Sequence, residues 1–430
     1  MARIMFATAA ALAFSLSVSA AEPITSPEAA ASQKPAAAPA LTLEEAVRLA
    51  LHSDDPYLLE PGERASALDD QATAAAQLPD PKLKVGLANW PTDSFSYTQE
   101  PMTQIQVGLS QAFPKGKTLD YKRQKMTAMA EGERFMTALR QREVVLDTRA
   151  NWLDLYYWVH AAQEVRKSRQ AVKELIEVVR AVYATGRSNS QDILRAELEL
   201  SLLDDKLVAI GRGEAMARAR LSRRIGTAAA ARTVSPSWPA MTHPDARDVI
   251  AKLLPQHPAV RILAAKTDAA ARDVDIAHEQ YKPGWAVNVG YGARGSDRAD
   301  FASVGVTMDL PIFTGKRQDK MAAAAKKARQ AATLSEDATL RDLREKLDTA
   351  YADWQETGKR ITLYKSAVIK RAKDTAEASV LSYRSGVTDF PELIRTRLAE
   401  LNTELTLLKL ETDRYKAQAR LLFLEGENNE

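Results

Sequence analysis

The residue types that most often carry chemistry are sparse in this chain and badly spaced for it. Its five histidines, His52, His160, His243, His257 and His278, include no pair at the His-Glu-x-x-His spacing that sets two imidazoles on one helical face for zinc. Cysteine is absent, which excludes thiolate metal sites, a cysteine nucleophile, disulfides and a lipid anchor attached through an N-terminal Cys. The glycine-rich stretch GYGARG, Gly290 to Gly295, follows an extended run but opens no helix, so it lacks the geometry that cradles a phosphate. In NWLDLYYW, Trp152 and Tyr156 fall on one helical face and Tyr157 on an adjacent one, a pattern of helix packing rather than of a cofactor site. A lone Met102 offers no thioether cluster to a soft metal. The chain is therefore expected to be no enzyme and to need no cofactor and no metal.

What remains is a pair of carboxylates at matching places. Asp192 and Glu392 each follow closely on a glycine, Gly186 and Gly386, that ends a long glycine-poor stretch. Two physical roles fit an acid there. Near a helix N-terminus it gains from the dipole and the free N–H groups. Repeated around the axis of a narrow pore it makes a ring that favours cations and repels anions.

The elements that must position these residues come in two copies. QVGLSQAFPKGK (Gln106 to Lys117) is echoed by SVGVTMDLPIFTGK (Ser303 to Lys316), and the echo, at a period of about two hundred residues, extends along nearly the whole chain. LTLEEAVRLALHSDDPYLL answers to PDARDVIAKLLPQHPAVRIL, with Val47, Leu51 and Pro56 matching Val249, Leu253 and Pro258; Pro81 matches Pro283. YATGRSNSQDILRAEL (Tyr183 to Leu198) answers to YRSGVTDFPELIRTRL (Tyr383 to Leu398). Shared helical composition would make the helices look alike, but it does not explain matched prolines and glycines.

Each copy carries two runs that alternate with period two: Leu83, Val85, Leu87 and Ile105, Val107, Leu109 in the first; Trp285, Val287, Val289, Tyr291 and Val304, Val306, Met308, Leu310 in the second. These read as strands with one apolar and one small or polar face. After each pair come a proline, a Gly-Lys and about seventy residues almost free of Gly and Pro, enough for a helix on the order of 100 Å long. Charges recur within every turn or two of these helices, as in RQREVVLDTRANW, so they are built for water rather than hydrocarbon. Apolar positions at three- and four-residue spacing give them a seam for packing on neighbouring helices. The strands suit a tilted crossing of an outer membrane, where roughly nine to eleven residues suffice. Four strands cannot close a barrel, and an open edge in lipid leaves backbone groups unpaired, so the barrel would have to be shared between chains.

Composition agrees and adds little. At 430 residues, with 27% charged and a net charge of +3, the chain is long enough for a sizeable core and shows no basic field that would mark a nucleic-acid partner. MARIMFATAAALAFSLSVSAAEP reads as a secretory signal peptide over residues 1–21, followed by an Ala/Pro-rich flexible lead-in over 22–40. The first repeat is expected over 41–226, with strands at about 82–90 and 104–113 and a helical hairpin over 117–226. A linker covers 227–243, and the second repeat 244–425, with strands at about 285–294 and 301–312, a helical hairpin over 316–424, and a tail at 426–430.

An exported chain of two such halves resembles the TolC-type outer membrane efflux factors over about Leu41 to Leu424, most specifically in LTLEEAVRLAL, DLPIFTGKRQ and YRSGVTDFPELIRTRLAEL. The resemblance implies an α+β membrane protein whose duplicated strand-strand-long helix-helix halves assemble as a homotrimer. Its shared 12-stranded β-barrel would cross the outer membrane, bounded by lipid, and a long α-helical barrel would form a tunnel through the periplasm. It also implies a periplasmic adaptor (membrane fusion) protein and an RND-type inner membrane pump as partners, with small molecules or metal cations as cargo. The adaptor-docking tips would be Gly186, Arg187 and Ser188 together with Gly386 and Val387. Pore-constriction residues would be Asp192, Glu392, Tyr383 and Thr388, although Arg395 one turn on, and Thr388 where a basic partner can occur, depart from a two-ring acidic gate. Pro114, Gly116, Pro311 and Gly315 would mark the barrel-to-helix junctions, and Trp90 and Tyr97 an aromatic girdle at the bilayer surface. The reading from another class is a periplasmic coiled-coil adaptor or scaffold of an export system, which would need no lipid-facing strands.

Overall fold

Long stretches without Gly or Pro have nothing to stop a helix once it starts. The computed structural model describes residues 39–184, 189–295 and 297–426; the signal region, and the lead-in as far as residue 38, lie outside them. The first half contains α1 (Leu43–Leu51), α2 (Pro56–Ala75), β1 (Lys82–Ala88), β2 (Gln104–Phe113), α3 (Thr118–Ala184) and α4 (Ser190–Ile225). After the short α5 (Thr227–Ala230) the order returns as α6 (Arg247–Leu253), α7 (Pro258–Glu279), β3 (Trp285–Arg294), β4 (Phe301–Met308), α8 (Gln318–Leu363), α9 (Ile369–Arg384) and α10 (Phe390–Glu425). At 67 residues α3 is about 100 Å long. Its counterpart is not continuous: a π-helical turn, Tyr364–Val368, divides α8 from α9, and Lys365 within it meets Glu411 of α10 at 2.5 Å.

Side-chain caps start several of these helices. Thr42 accepts the Glu45 N–H at 3.2 Å ahead of α1. Asp55 accepts the Tyr57 N–H at 3.0 Å ahead of α2, and at the matching place before α7 the His257 Nδ1 accepts the Ala259 N–H at 3.2 Å. Buried side chains then join the helices in three large clusters. One lies where α3, α4, α9 and α10 meet near their turns and includes Val179, Ala196, Tyr383, Phe390 and Leu393. A second surrounds Trp152 and Tyr156, whose polar tips donate to Leu41 O at 3.2 Å and Pro236 O at 3.1 Å. The third packs Ile250 and Leu254 under Leu347 and Leu421. Among the described residues no helix is long and apolar enough to cross a membrane.

The four strands form one antiparallel sheet in the order β1-β2-β3-β4. Its register sets Leu83 opposite Leu109, Val85 opposite Val107, Leu109 opposite Val289, Val287 opposite Val306 and Trp285 opposite Met308. Directly opposed residues share a face, so all four apolar series coincide on one side. The other face collects Lys84, Gly86, Gln104, Gln106, Gly108, Ser110, Asn288, Gly290, Gly305 and Thr307. Two strands stop earlier than their alternation suggests. Asn89 turns β1 away with φ +52°, and β4 ends at Met308 because β3 only begins at Trp285 and Pro311 has no N–H to donate.

Candidate functional site

The second helical turn is built as a helix stop followed at once by a helix start. Gly386, at φ +77°, donates to Tyr383 O at 3.1 Å, and Val387 N–H reaches Ser382 O at 2.9 Å. This pair of bonds is the Schellman ending of α9, which a residue with a Cβ would strain. Val387 projects into solvent. Asp389 then caps α10 by accepting the Glu392 N–H at 3.1 Å, and Pro391 fits the first turn, where its missing N–H costs nothing. Below the turn Tyr383 is buried edge-on to Phe390, with ring centroids 6.0 Å apart and planes at 66°. Thr388 Oγ1 is shut away from solvent without a hydrogen-bond partner.

The two acids occupy equivalent positions, the third residue of α10 for Glu392 and the third of α4 for Asp192. Neither is the cap. Asn189 caps α4 by accepting the Gln191 N–H at 3.1 Å, as Asp389 caps α10. Both acids sit in the favourable field of a first helical turn, so the dipole reading holds at the level of position. Glu392 also carries a partner, its Oε2 accepting from the Arg395 guanidinium. With 34% of Glu392 and 76% of Arg395 exposed, the pair contributes about 0–1 kcal/mol, but it offsets much of the charge that Glu392 would show. Reading the sequence for acids missed Asn189 and Asp389, although Asp-Phe-Pro-Glu is a recognisable helix-start pattern. Gly186, Arg187 and Ser188 lie outside the described residues.

The junction residues divide into two unlike corners. At the first, Pro114 ends β2, Gly116 takes φ +48°, and Thr118 Oγ1 donates to Lys115 O at 2.6 Å to start α3. Glu279, buried at the end of α7, closes this corner from the other half of the chain. One carboxylate oxygen accepts the Lys117 N–H at 2.7 Å and the other accepts from Lys282 Nζ at 2.7 Å. Burial works to raise the Glu279 carboxyl, but the Lys282 ammonium and the Lys117 N–H outweigh it and leave it below the ordinary carboxylate value. A Cβ on Gly116 would fall 1.7 Å from Glu279 Oε2, so only glycine fits. At the second corner Pro311 and Gly315 lie in an open loop, and a Cβ on Gly315 would find only Asp319 Oδ2, at 4.0 Å.

Each histidine is spent on local structure: His52 and His160 contact carbonyls one turn back at 2.9 and 2.8 Å, His243 sits edge-on to Trp354, His257 caps α7, and His278 stacks on Tyr281 with ring centroids 6.3 Å apart. Among the described residues no group of three or more His, Cys, Asp or Glu side chains could hold a metal ion.

A four-stranded sheet whose aliphatic residues gather on one face, joined to helices as long as about 100 Å, suits a membrane-inserted sheet standing on a helical stem. Residues 249–427 match the family model for outer membrane efflux protein. No curated protein matches the chain by sequence. Among solved structures, the outer-membrane channel OprN is 18% identical, with TM-score 0.75 and 90% of each chain covered. The outer membrane protein VceC from Vibrio cholerae is 16% identical, with TM-score 0.76 over 90% of this chain and 97% of its own. The open-state MtrE outer membrane channel of Neisseria gonorrhoeae is 14% identical, with TM-score 0.72 over 89% and 88%. Residues 249–427 are thus similar to the outer membrane efflux proteins, and the chain has the fold of these outer membrane channels.

Proposed function

We propose that this protein is the outer membrane exit duct of a tripartite efflux pump. Three copies contribute four strands each to a twelve-stranded barrel, and their helices continue it as a tunnel through the periplasm. The observation that carries the reading is the sheet. Apart from Gln111 and Phe301, its large apolar residues share one face and its small and polar residues crowd the other, and both outer strands, β1 and β4, keep an unpaired edge. Such a sheet suits lipid on one side and water on the other, and in lipid its edges require partners. The turns at Gly186, Arg187 and Ser188 and at Gly386 and Val387 dock on a periplasmic adaptor, which couples the duct to an RND-type inner membrane pump. Asp192, Glu392, Tyr383 and Thr388 narrow the tunnel mouth, with Arg395 tempering the Glu392 ring. Small molecules or metal cations are the cargo.

Planar-bilayer recording tests the duct and its gate together. The purified protein should form discrete channels, and Glu392→Ala combined with Tyr383→Phe should raise their single-channel conductance. Unchanged conductance would remove the gate assignment and leave the duct standing. Absence of channels, together with recovery of the chain in the soluble periplasmic fraction, would instead favour a periplasmic adaptor or scaffold.

A further inference from the structure

The two corners perform the same task with unequal means. At the first, the end of α7 lies over Gly116 and Glu279 takes the Lys117 N–H. At the second, nothing among the described residues takes the equivalent part: the Lys316 N–H has no hydrogen-bond partner there, Gly315 is open, and the apolar Ile312 and Phe313 are 70% and 89% exposed. The missing element does exist, elsewhere in the chain. The spacing that pairs Pro56 with Pro258 and Pro81 with Pro283 pairs Gln77 with Glu279 and Asp80 with Lys282. Helix α7 packs on both α3 and α8, whereas its twin α2 packs on α3, and Gln77, Leu78 and Asp80 just beyond its end stand exposed. Among the described residues the Gln77 side chain hydrogen-bonds only within its own helix, donating to Thr73 O at 3.1 Å. The chain thus carries one uncovered corner and one unused cover, related to each other as the first corner is to α7.

We infer that the second corner is closed by a second copy of this chain, whose Gln77 side-chain oxygen accepts the Lys316 N–H while the end of its α2 covers Ile312 and Phe313. The inference rests on the shared-barrel reading above and adds residue identities to it. It also makes the corners chemically unequal. Those within a chain are held by a carboxylate paired with Lys282, and those between chains by a neutral amide with Asp80 in the place of the lysine. The seam between copies is accordingly the weaker joint at the foot of the barrel.

Because the natural chain has no cysteine, the full-length double variant Gln77→Cys, Lys316→Cys offers a single reactive pair. Treatment of the detergent-purified assembly with a short bis-maleimide should convert most of it to covalent dimers and trimers on a denaturing gel, and neither single variant should do so. The mass of the same sample in detergent separates the two readings. A trimer by mass that stays monomeric on the gel overturns the corner assignment alone; a monomer by mass overturns the shared barrel with it. An independent variant needs no cross-link. Gln77→Glu with Asp80→Lys copies the Glu279–Lys282 pair into the seam and should raise the temperature at which the trimer dissociates by several degrees; no change or a fall overturns the proposal.

Discussion

Asp55 and His257 hold the same place in the two repeats, each capping a helix that begins with proline, yet they answer acid differently. A carboxylate keeps its accepting lone pairs to low pH, whereas an imidazole that accepts through Nδ1 loses that lone pair on protonation. His257 is 2% exposed, and burial, aided by the nearby Arg142 charge, pushes its pKa from 6.5 down to about 4. A base whose folded pKa lies below its unfolded value stabilises the fold fully above about pH 6.5 and loses that contribution as pH falls toward 4, a loss of ~3 kcal/mol. Thermal unfolding of the wild type should therefore drop more between pH 7 and pH 4.5 than that of His257→Asn, which retains an accepting cap and cannot titrate. Parallel curves for the two proteins would show that acid acts elsewhere. Sequence reading excluded the histidines as zinc ligands but could not see this role, since a cap is recognised by the N–H it faces.

At the scale of elements, whatever depends on neighbours in sequence was legible. Period-two alternation located all four strands, and the glycine-poor stretches located the long helices, because both signals are local. The π turn between α8 and α9 left no such mark. Nor did the closure of the first corner, since Glu279 lies far along the chain from Gly116 and only the fold brings them together. That closure makes a coupling measurable. Gly116→Ala places a methyl against Glu279 in a left-handed backbone and should cost about 1–3 kcal/mol. Glu279→Ala leaves the Lys117 N–H unanswered and should cost a similar amount, about 1–3 kcal/mol. The double variant removes the clash together with the acceptor, so its loss of stability should fall well short of the two losses combined. Thermal melts of the four proteins by circular dichroism decide the matter, and strict additivity would mean that Glu279 is not what restricts Gly116.

For the whole molecule, the central question is which side of the sheet meets lipid, because the duct stands or falls on it. Side-chain alternation alone leaves the answer open: a strand with one apolar face serves equally well in a soluble sheet packed on helices. The register narrows it, since the apolar faces of all four strands coincide and yet remain solvent-exposed in the single chain, Val304 at 79%. An apolar face of four strands left uncovered in water would be an aggregation hazard, and in a membrane it is a requirement. A charge placed on that face should therefore be penalised by location rather than by strand propensity. Val304→Arg should cost about 2–4 kcal/mol of insertion free energy and deplete the folded, membrane-inserted form. Thr307→Arg, on the opposite face of the same strand, should insert normally and change only conduction. Heat-modifiable migration on gels of outer membrane fractions reads out both variants. Equal loss in the two would mean that neither face of the sheet is committed to lipid, and the barrel would have to be abandoned.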